Sequence, residues 1–260
     1  MDRRRFNLAW VAKHHFECVR WTSFVVFVSP AAWLLGEWSV GAMGINPLSH
    51  LLRFTGTWAV VMLSVTLSVT PLRRLSVWVS RTVHARYGKR VSDWNGLVRL
   101  RRQFGLFTFF YAGAHASAYV AFDVGPDLAA IRDDILERPF ILVGVVAFAL
   151  LIPLAVTSNR HAIRALGSSW RRLHLLVYVV AVLAIAHFWM QAKVGDNTPL
   201  PYTVALLALL ATRWRAWQRG ERSTAGEVPE RPGSASRAAR VAPAAVPARP
   251  MPPSGTGSLR

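Results

Sequence analysis

The chain alternates long apolar blocks with short charged gaps. Six blocks stand out, at about 21–40, 54–72, 103–122, 140–157, 172–191 and 200–214. Each approaches the roughly 20 residues with which a helix crosses the hydrocarbon core of a bilayer. Pro30 and Pro153 fall inside the first and fourth blocks and predict kinks there, where neighbouring helices can satisfy the freed carbonyls. The pattern predicts an all-α, polytopic membrane protein. A basic segment (1–20) leads into a six-helix transmembrane bundle (21–214), and a tail (215–260) ends the chain. The first block reads as a retained span rather than a cleaved leader, because the charged start before it is long and holds Trp10, His14 and His15.

The gaps alternate in charge as strictly as the blocks do in hydropathy. Arg3, Arg4, Arg5, Lys13 and Arg20 precede the first block. Arg73, Arg74, Arg81, Arg86, Lys89, Arg90, Arg99, Arg101 and Arg102 follow the second, and Arg160, Arg164 and Arg171 follow the fourth. The gap after the third is acidic, with Asp123, Asp127, Asp133, Asp134 and Glu137. Basic loops stay in the cytoplasm, so both termini are expected inside. After Gln218 the chain is rich in Pro, Ala, Ser, Gly and Arg, a composition that predicts a disordered cytoplasmic tail.

Composition changes this picture in two places. The formal charge of +18 over 260 residues would suit a nucleic-acid partner in a soluble protein. Here the arginines sit between apolar blocks, so the charge reads as orientation and contact with the lipid bilayer, with no nucleic acid expected. The lone Cys18 makes neither an intramolecular disulfide nor a cysteine metal cage.

The candidate chemistry lies in the histidines. Five of the eight, His14, His15, His50, His84 and His161, fall in the gaps and read as solvated. His115, His174 and His187 fall inside blocks, where imidazole is costly and marks a functional site. Measured from Arg102 and Arg172 at the helical rise, His115 and His187 stand about 20 and 22 Å up their helices, and His174 about 3 Å. His115 and His187 thus share one depth, toward the outer side. Two histidines on different helices at one depth can be the axial ligands of one haem. They can equally hydrogen-bond a Ser, Thr or carbonyl across the bundle, or relay protons. His174 has Arg101, Arg102 and Gln103 at its own depth, which suits a second haem or the inner end of another cofactor. On an ideal helix it stands roughly 140° around from His187. Tyr111 and Tyr119, at i−4 and i+4 from His115, share its face and can line a flat macrocycle or simply pack. Arg101 and Arg102 can pair with propionates or lipid, and Trp189 suits an interfacial anchor.

Four runs in order, RLRRQFGLFTFFYAGAHASAY (99–119), ERPFILVG (137–144), LIPLAVTSN (151–159) and LGSSWRRLHLLVYVVAVLAIAHFWMQAK (166–193), resemble the MsrQ (YedZ) family. That family belongs with the ferric-reductase-like transmembrane domains. The resemblance covers about 19–214. It implies a bacterial inner-membrane haem b protein that also binds FMN. Such a protein passes electrons to a periplasmic molybdopterin-containing subunit of the MsrP type, which reduces methionine sulfoxide in oxidised proteins. Motif by motif, His115, His174 and His187 fall on the family's three histidines. Phe188 replaces an expected Tyr, Arg53 stands where a His can occur, and the tail is extra.

No G-x-G-x-x-G follows a strand, and too little chain follows Trp214 to fold a nicotinamide-binding domain. The chain therefore reads as a relay taking electrons from the quinone pool or a cytosolic flavin reductase, with no substrate-reducing site of its own. Two alternatives stand beside it: a transmembrane ferric or cupric ion reductase, and a non-redox helical transporter or scaffold.

Overall fold

A computed structural model describes residues 15–84 and 88–226. Most of the expected N-terminal segment and tail lies outside the described residues. The chain divides into Met1–Arg215 and Ala216–Arg260. The helical bundle belongs to the first unit; of the second, only the end of the last helix is described.

Every described element is helical: α1 (Phe16–Ser39), α2 (Pro47–Thr82), a 3-10 turn (Val91–Trp94), α3 (Asn95–Tyr119), α4 (Leu128–Glu137), α5 (Pro139–Val156), α6 (Arg160–Leu166), α7 (Ser168–Leu173), α8 (Leu176–Gln191) and α9 (Pro199–Gly226). Sequence sets several of the starts. Asn46 caps α2 by accepting from the Ser49 amide, with Pro47 in the first turn. Asp127 caps α4, Asn159 caps α6, and Pro139 opens α5. Pro30, Pro71 and Pro153 lie within helices that continue through them.

Among the described residues, four helical segments are long and apolar enough to cross a membrane: α1, α2, α5 and Ser168–Gln191. The expected third and sixth spans are present as α3 and α9 but fall short on composition. The polarity of α3 is satisfied inside the bundle. Its Gln103 donates to the Arg20 carbonyl, Thr108 to Phe104, and Tyr111 to the Phe27 carbonyl at 2.8 Å. A helix whose polar groups face neighbours needs less hydropathy than one bathed in lipid.

Helix α2 packs along α3, α3 touches α5, and α5 packs along α8. Small residues mark the close approaches: Gly105 faces Thr66 and Gly113 faces Phe148. Thr66 and Thr108 bond across α2 and α3, and Phe109 of α3 stacks on Phe148 of α5. The main core joins Leu63 and Leu67 (α2), Leu151 and Leu154 (α5), Val180 and Ala181 (α8) and Leu206 (α9). Helix α1 lies against α3 through Phe27 and Phe104, while Trp21, Val25, Trp33 and Leu35 point outward. Large apolar side chains exposed in such number suit lipid as the surrounding solvent.

Two details depart from the sequence pattern. Helix α2 runs 36 residues, carrying Arg73, Arg74 and Arg81 on its continuation. The expected fifth span is broken at His174–Leu175, between α7 and α8. There Leu175 and Tyr178 bond back to Arg172 and Leu175, three residues away rather than four. The ideal-helix angle between His174 and His187 does not survive this break.

Candidate haem site

At one end of the bundle, helices α3 and α8 bring two imidazoles together. The ring centroids of His115 and His187 lie 6.1 Å apart, with planes at 83°. Each ring is held by a carbonyl from a neighbouring helix. Nδ1 of His115 bonds Leu52 O of α2 at 3.0 Å, and Nδ1 of His187 bonds Phe140 O of α5 at 2.7 Å. A carbonyl only accepts, so both Nδ1 atoms carry the proton and both Nε2 atoms keep a lone pair. This is the orientation a neighbouring carbonyl imposes on a metal-binding histidine.

The backbone that holds each ring is also cleared for it. In a helix the side chain at i+4 leans back over the carbonyl of residue i. Four residues after Leu52 comes Gly56, and four after Phe140 comes Gly144. A Cβ on Gly56 would meet His115 Cε1 and Nδ1 at 3.2 Å, and one on Gly144 would meet His187 Cε1 at 2.8 Å. Thr55 Oγ1 adds a contact to His115 Nδ1 at 3.4 Å. None of Leu52, Thr55, Gly56, Phe140 or Gly144 stands out as a site residue in the sequence. Phe140 and Gly144 fall in the run ERPFILVG, but the residues alone offer only a glycine in an apolar helix, which more often marks helix packing.

The third histidine stands apart, toward the arginine-bearing end. His174 stacks on Trp170 at 4.0 Å, and its Nδ1 bonds the Trp170 carbonyl at 3.1 Å. Ser158 Oγ is 3.5 Å from His174 Nε2, but it lies 2.6 Å from the Leu154 carbonyl, to which it gives its one proton.

The other candidates separate by role. Tyr111 is buried against Met62 and Phe107, stacked on Trp58, with its hydroxyl given to α1. Tyr119 donates to Asp134 of α4, which Arg138 also holds. Both tyrosines therefore tie helices through their hydroxyls. Arg101 is half-buried and close enough to His174 for its charge to act there, while Arg102 is exposed. Trp189 donates to Thr203 of α9 at 2.8 Å, and Phe188 packs on Tyr202. Near the histidine pair, Arg53 reaches Asp196 in the α8–α9 loop at 3.4 Å. The Asp196 carboxyl is held below its usual range, first by bonds from Thr198 and then by Arg53.

Two imidazoles bound to one metal through one nitrogen each, at about 2 Å per bond, place their ring centroids about 6 Å apart. The observed spacing fits. Among the described residues no group of three or more His, Cys, Asp or Glu gathers to hold a bare metal ion. Two histidine ligands alone would leave a metal short of donors, and a porphyrin supplies the rest. The residues present fit a haem.

Residues 55–185 match the family described as ferric reductase like transmembrane component. This interval holds His115 and His174, with Gly56 and Gly144, and it ends just short of His187. The chain is 44% identical over 156 residues to the protein-methionine-sulfoxide reductase heme-binding subunit MsrQ of Herminiimonas arsenicoxydans, covering 60% of this chain and 64% of that protein. It is 44% identical over 155 residues to the protein of that name from Bordetella pertussis, covering 60% and 67%. For Polaromonas naphthalenivorans the figures are 44% over 177 residues, covering 67% and 72%. The chain thus spans a little under two thirds of the Herminiimonas relative's length. Fold and match together define a helical membrane protein of the ferric-reductase-like class. Within that class, the chain belongs to the MsrQ family.

Proposed function

We propose that this chain is the haem b subunit that carries electrons across the bacterial inner membrane to a methionine sulfoxide reductase. The observation that carries this reading is the His115–His187 pair, 6.1 Å apart with each Nδ1 fixed on a carbonyl. Family membership supports it, since the relatives are named as heme-binding subunits.

In this reading α3 and α9 join the four apolar segments as spans, with both termini in the cytoplasm. A haem b, when bound, supplies one-electron carriage. His115 and His187 would hold it with their neutral imidazoles, and it would then serve electron transfer rather than oxygen chemistry. Leu52 and Phe140 fix the tautomers, and Gly56 and Gly144 make room for the rings. His174 serves the inner end, as ligand of a second haem or as contact to another cofactor. FMN belongs to the reading as well. Electrons enter from the quinone pool or a cytosolic flavin reductase and leave to a periplasmic MsrP-type molybdopterin subunit.

The test is spectroscopic. Purified full-length protein should give a b-type pyridine haemochrome and, after acid release, flavin fluorescence. The reduced protein should be reoxidised faster by an oxidised MsrP-type subunit than by a ferric chelate. A colourless preparation would overturn haem binding. Preference for the chelate would favour a metal-ion reductase instead.

A further inference from the structure

The end of the bundle opposite the His115–His187 pair gathers more cations than anions. Arg213, from α9, is half-buried and donates through Nη2 to Thr70 Oγ1 of α2 at 2.6 Å. Its Nε is buried and has no hydrogen-bond partner. Arg74 stands one turn past Thr70 on the same face of α2, and Leu100, beside Arg101 on α3, packs with Val69, the neighbour of Thr70, so both like charges act on Arg213. Arg101 acts on His174 too. Three helices therefore bring three guanidiniums to the end of the bundle where His174 lies.

Among the described residues none of the three arginines is ion-paired. Two acids at this end are already engaged: Glu17 by Arg20, and Asp93 by the Arg90 amide. A half-buried guanidinium with like charges beside it and an orphaned N–H is costly unless an anion completes it. An oxyanion suits best, because a guanidinium offers paired donors that match a carboxylate or phosphate. Arg74 is exposed and marks the open side.

We propose that Arg213, Arg101 and Arg74 form an interhelical oxyanion site beside His174, for the carboxylate of a bound porphyrin or the phosphate of an anionic lipid. The porphyrin source rests on the function proposed above; the lipid source does not. Basic clefts between membrane helices hold anionic headgroups by the same chemistry.

The experiment uses full-length protein purified in neutral detergent. Arg213→Gln and Arg101→Gln are compared with wild type and with Arg132→Gln, a charge lost at the other end from an arginine already paired with Asp133. Two quantities are measured: phosphatidylglycerol binding by native mass spectrometry, and b-haem content with its midpoint potential. Loss of one charge-assisted contact should weaken phosphatidylglycerol binding about tenfold if the lipid is the occupant. If the occupant is the porphyrin carboxylate, haem content should fall or the potential shift, with lipid binding unchanged. Arg101→Gln keeps the Arg213–Thr70 bond and guards against a folding defect in Arg213→Gln. Both variants matching wild type in both measurements overturns the site. A wild type without haem would sink the proposed function, and the lipid measurement alone would then decide this site.

Discussion

Gly144 lies so close beneath His187 that a Cβ there would come 2.8 Å from Cε1 and 2.9 Å from Nδ1. These atoms belong to a ring already anchored on Phe140 at 2.7 Å. The ring cannot retreat without losing that bond. Gly144→Ala should therefore strip most of the haem, read as Soret absorbance per protein. Gly56→Ala meets its ring at 3.2 Å, where a few tenths of an ångström suffice. It should keep most of the haem with a shifted midpoint potential. Equal effects of the two would count against the seating argument.

His115→Ala or His187→Ala should abolish the pigment held by the pair, because one imidazole cannot clamp both faces of an iron porphyrin. His174→Ala should leave much of it, since that ring stacks on Trp170 at the far end. Haemochrome assays on the three variants check this. Equal loss in all three would overturn the division into two ends.

Tyr111→Phe separates bundle cohesion from cofactor contact. Its hydroxyl is given to Phe27 O, and the side chain is 1% exposed. Removing the hydroxyl should cost about 1 kcal/mol and leave the carbonyl unsatisfied. The readout is a lower thermal midpoint in detergent with unchanged absorption maxima. A spectral change would place this phenol against the porphyrin instead.

Cys18 is exposed at the start of α1 and serves as a built-in reporter of sidedness. A membrane-impermeant maleimide should label it in inverted vesicles and not in intact spheroplasts. With Cys18→Ser in place, a cysteine at Asp127, ahead of α4, should show the opposite pattern. Labelling of both positions from one side would break the six-span reading.

Exposed Arg102 and half-buried Arg101 open α3 at the end where electrons are expected to enter. Replacing both with Gln should slow reduction by a flavin or quinol donor more than it lowers haem content. Stopped-flow reduction of the bound pigment measures this, and an unchanged rate would count against donor coupling at that face.

The long helices are legible as apolar blocks, because lipid demands hydropathy wherever a helix faces it; α4 and α6, in the charged gaps, are not. Nor are the ends. Past Leu72 the α2 helix continues through arginines, and hydropathy registers hydrocarbon rather than helix. The break at His174–Leu175 carries no Pro or Gly to announce it. Depth arithmetic singled out His115 and His187, but it could not find the carbonyls that orient them, since any residue has a carbonyl. Arg213 carries no mark in the sequence beyond its place near the end of the last block. Its meaning depends on Thr70, 143 residues away in sequence.

The length of α2 has a mechanical consequence. Its 36 residues span about 54 Å, well beyond a hydrocarbon core of about 30 Å even when tilted. The surplus is braced rather than free: Arg73 Nε and Arg81 Nε grip the carbonyls of Val91 and Lys89, and Val77 packs on Trp94. On the function proposed above, a donor protein docking at this end would meet a stiff shoulder rather than a wandering loop.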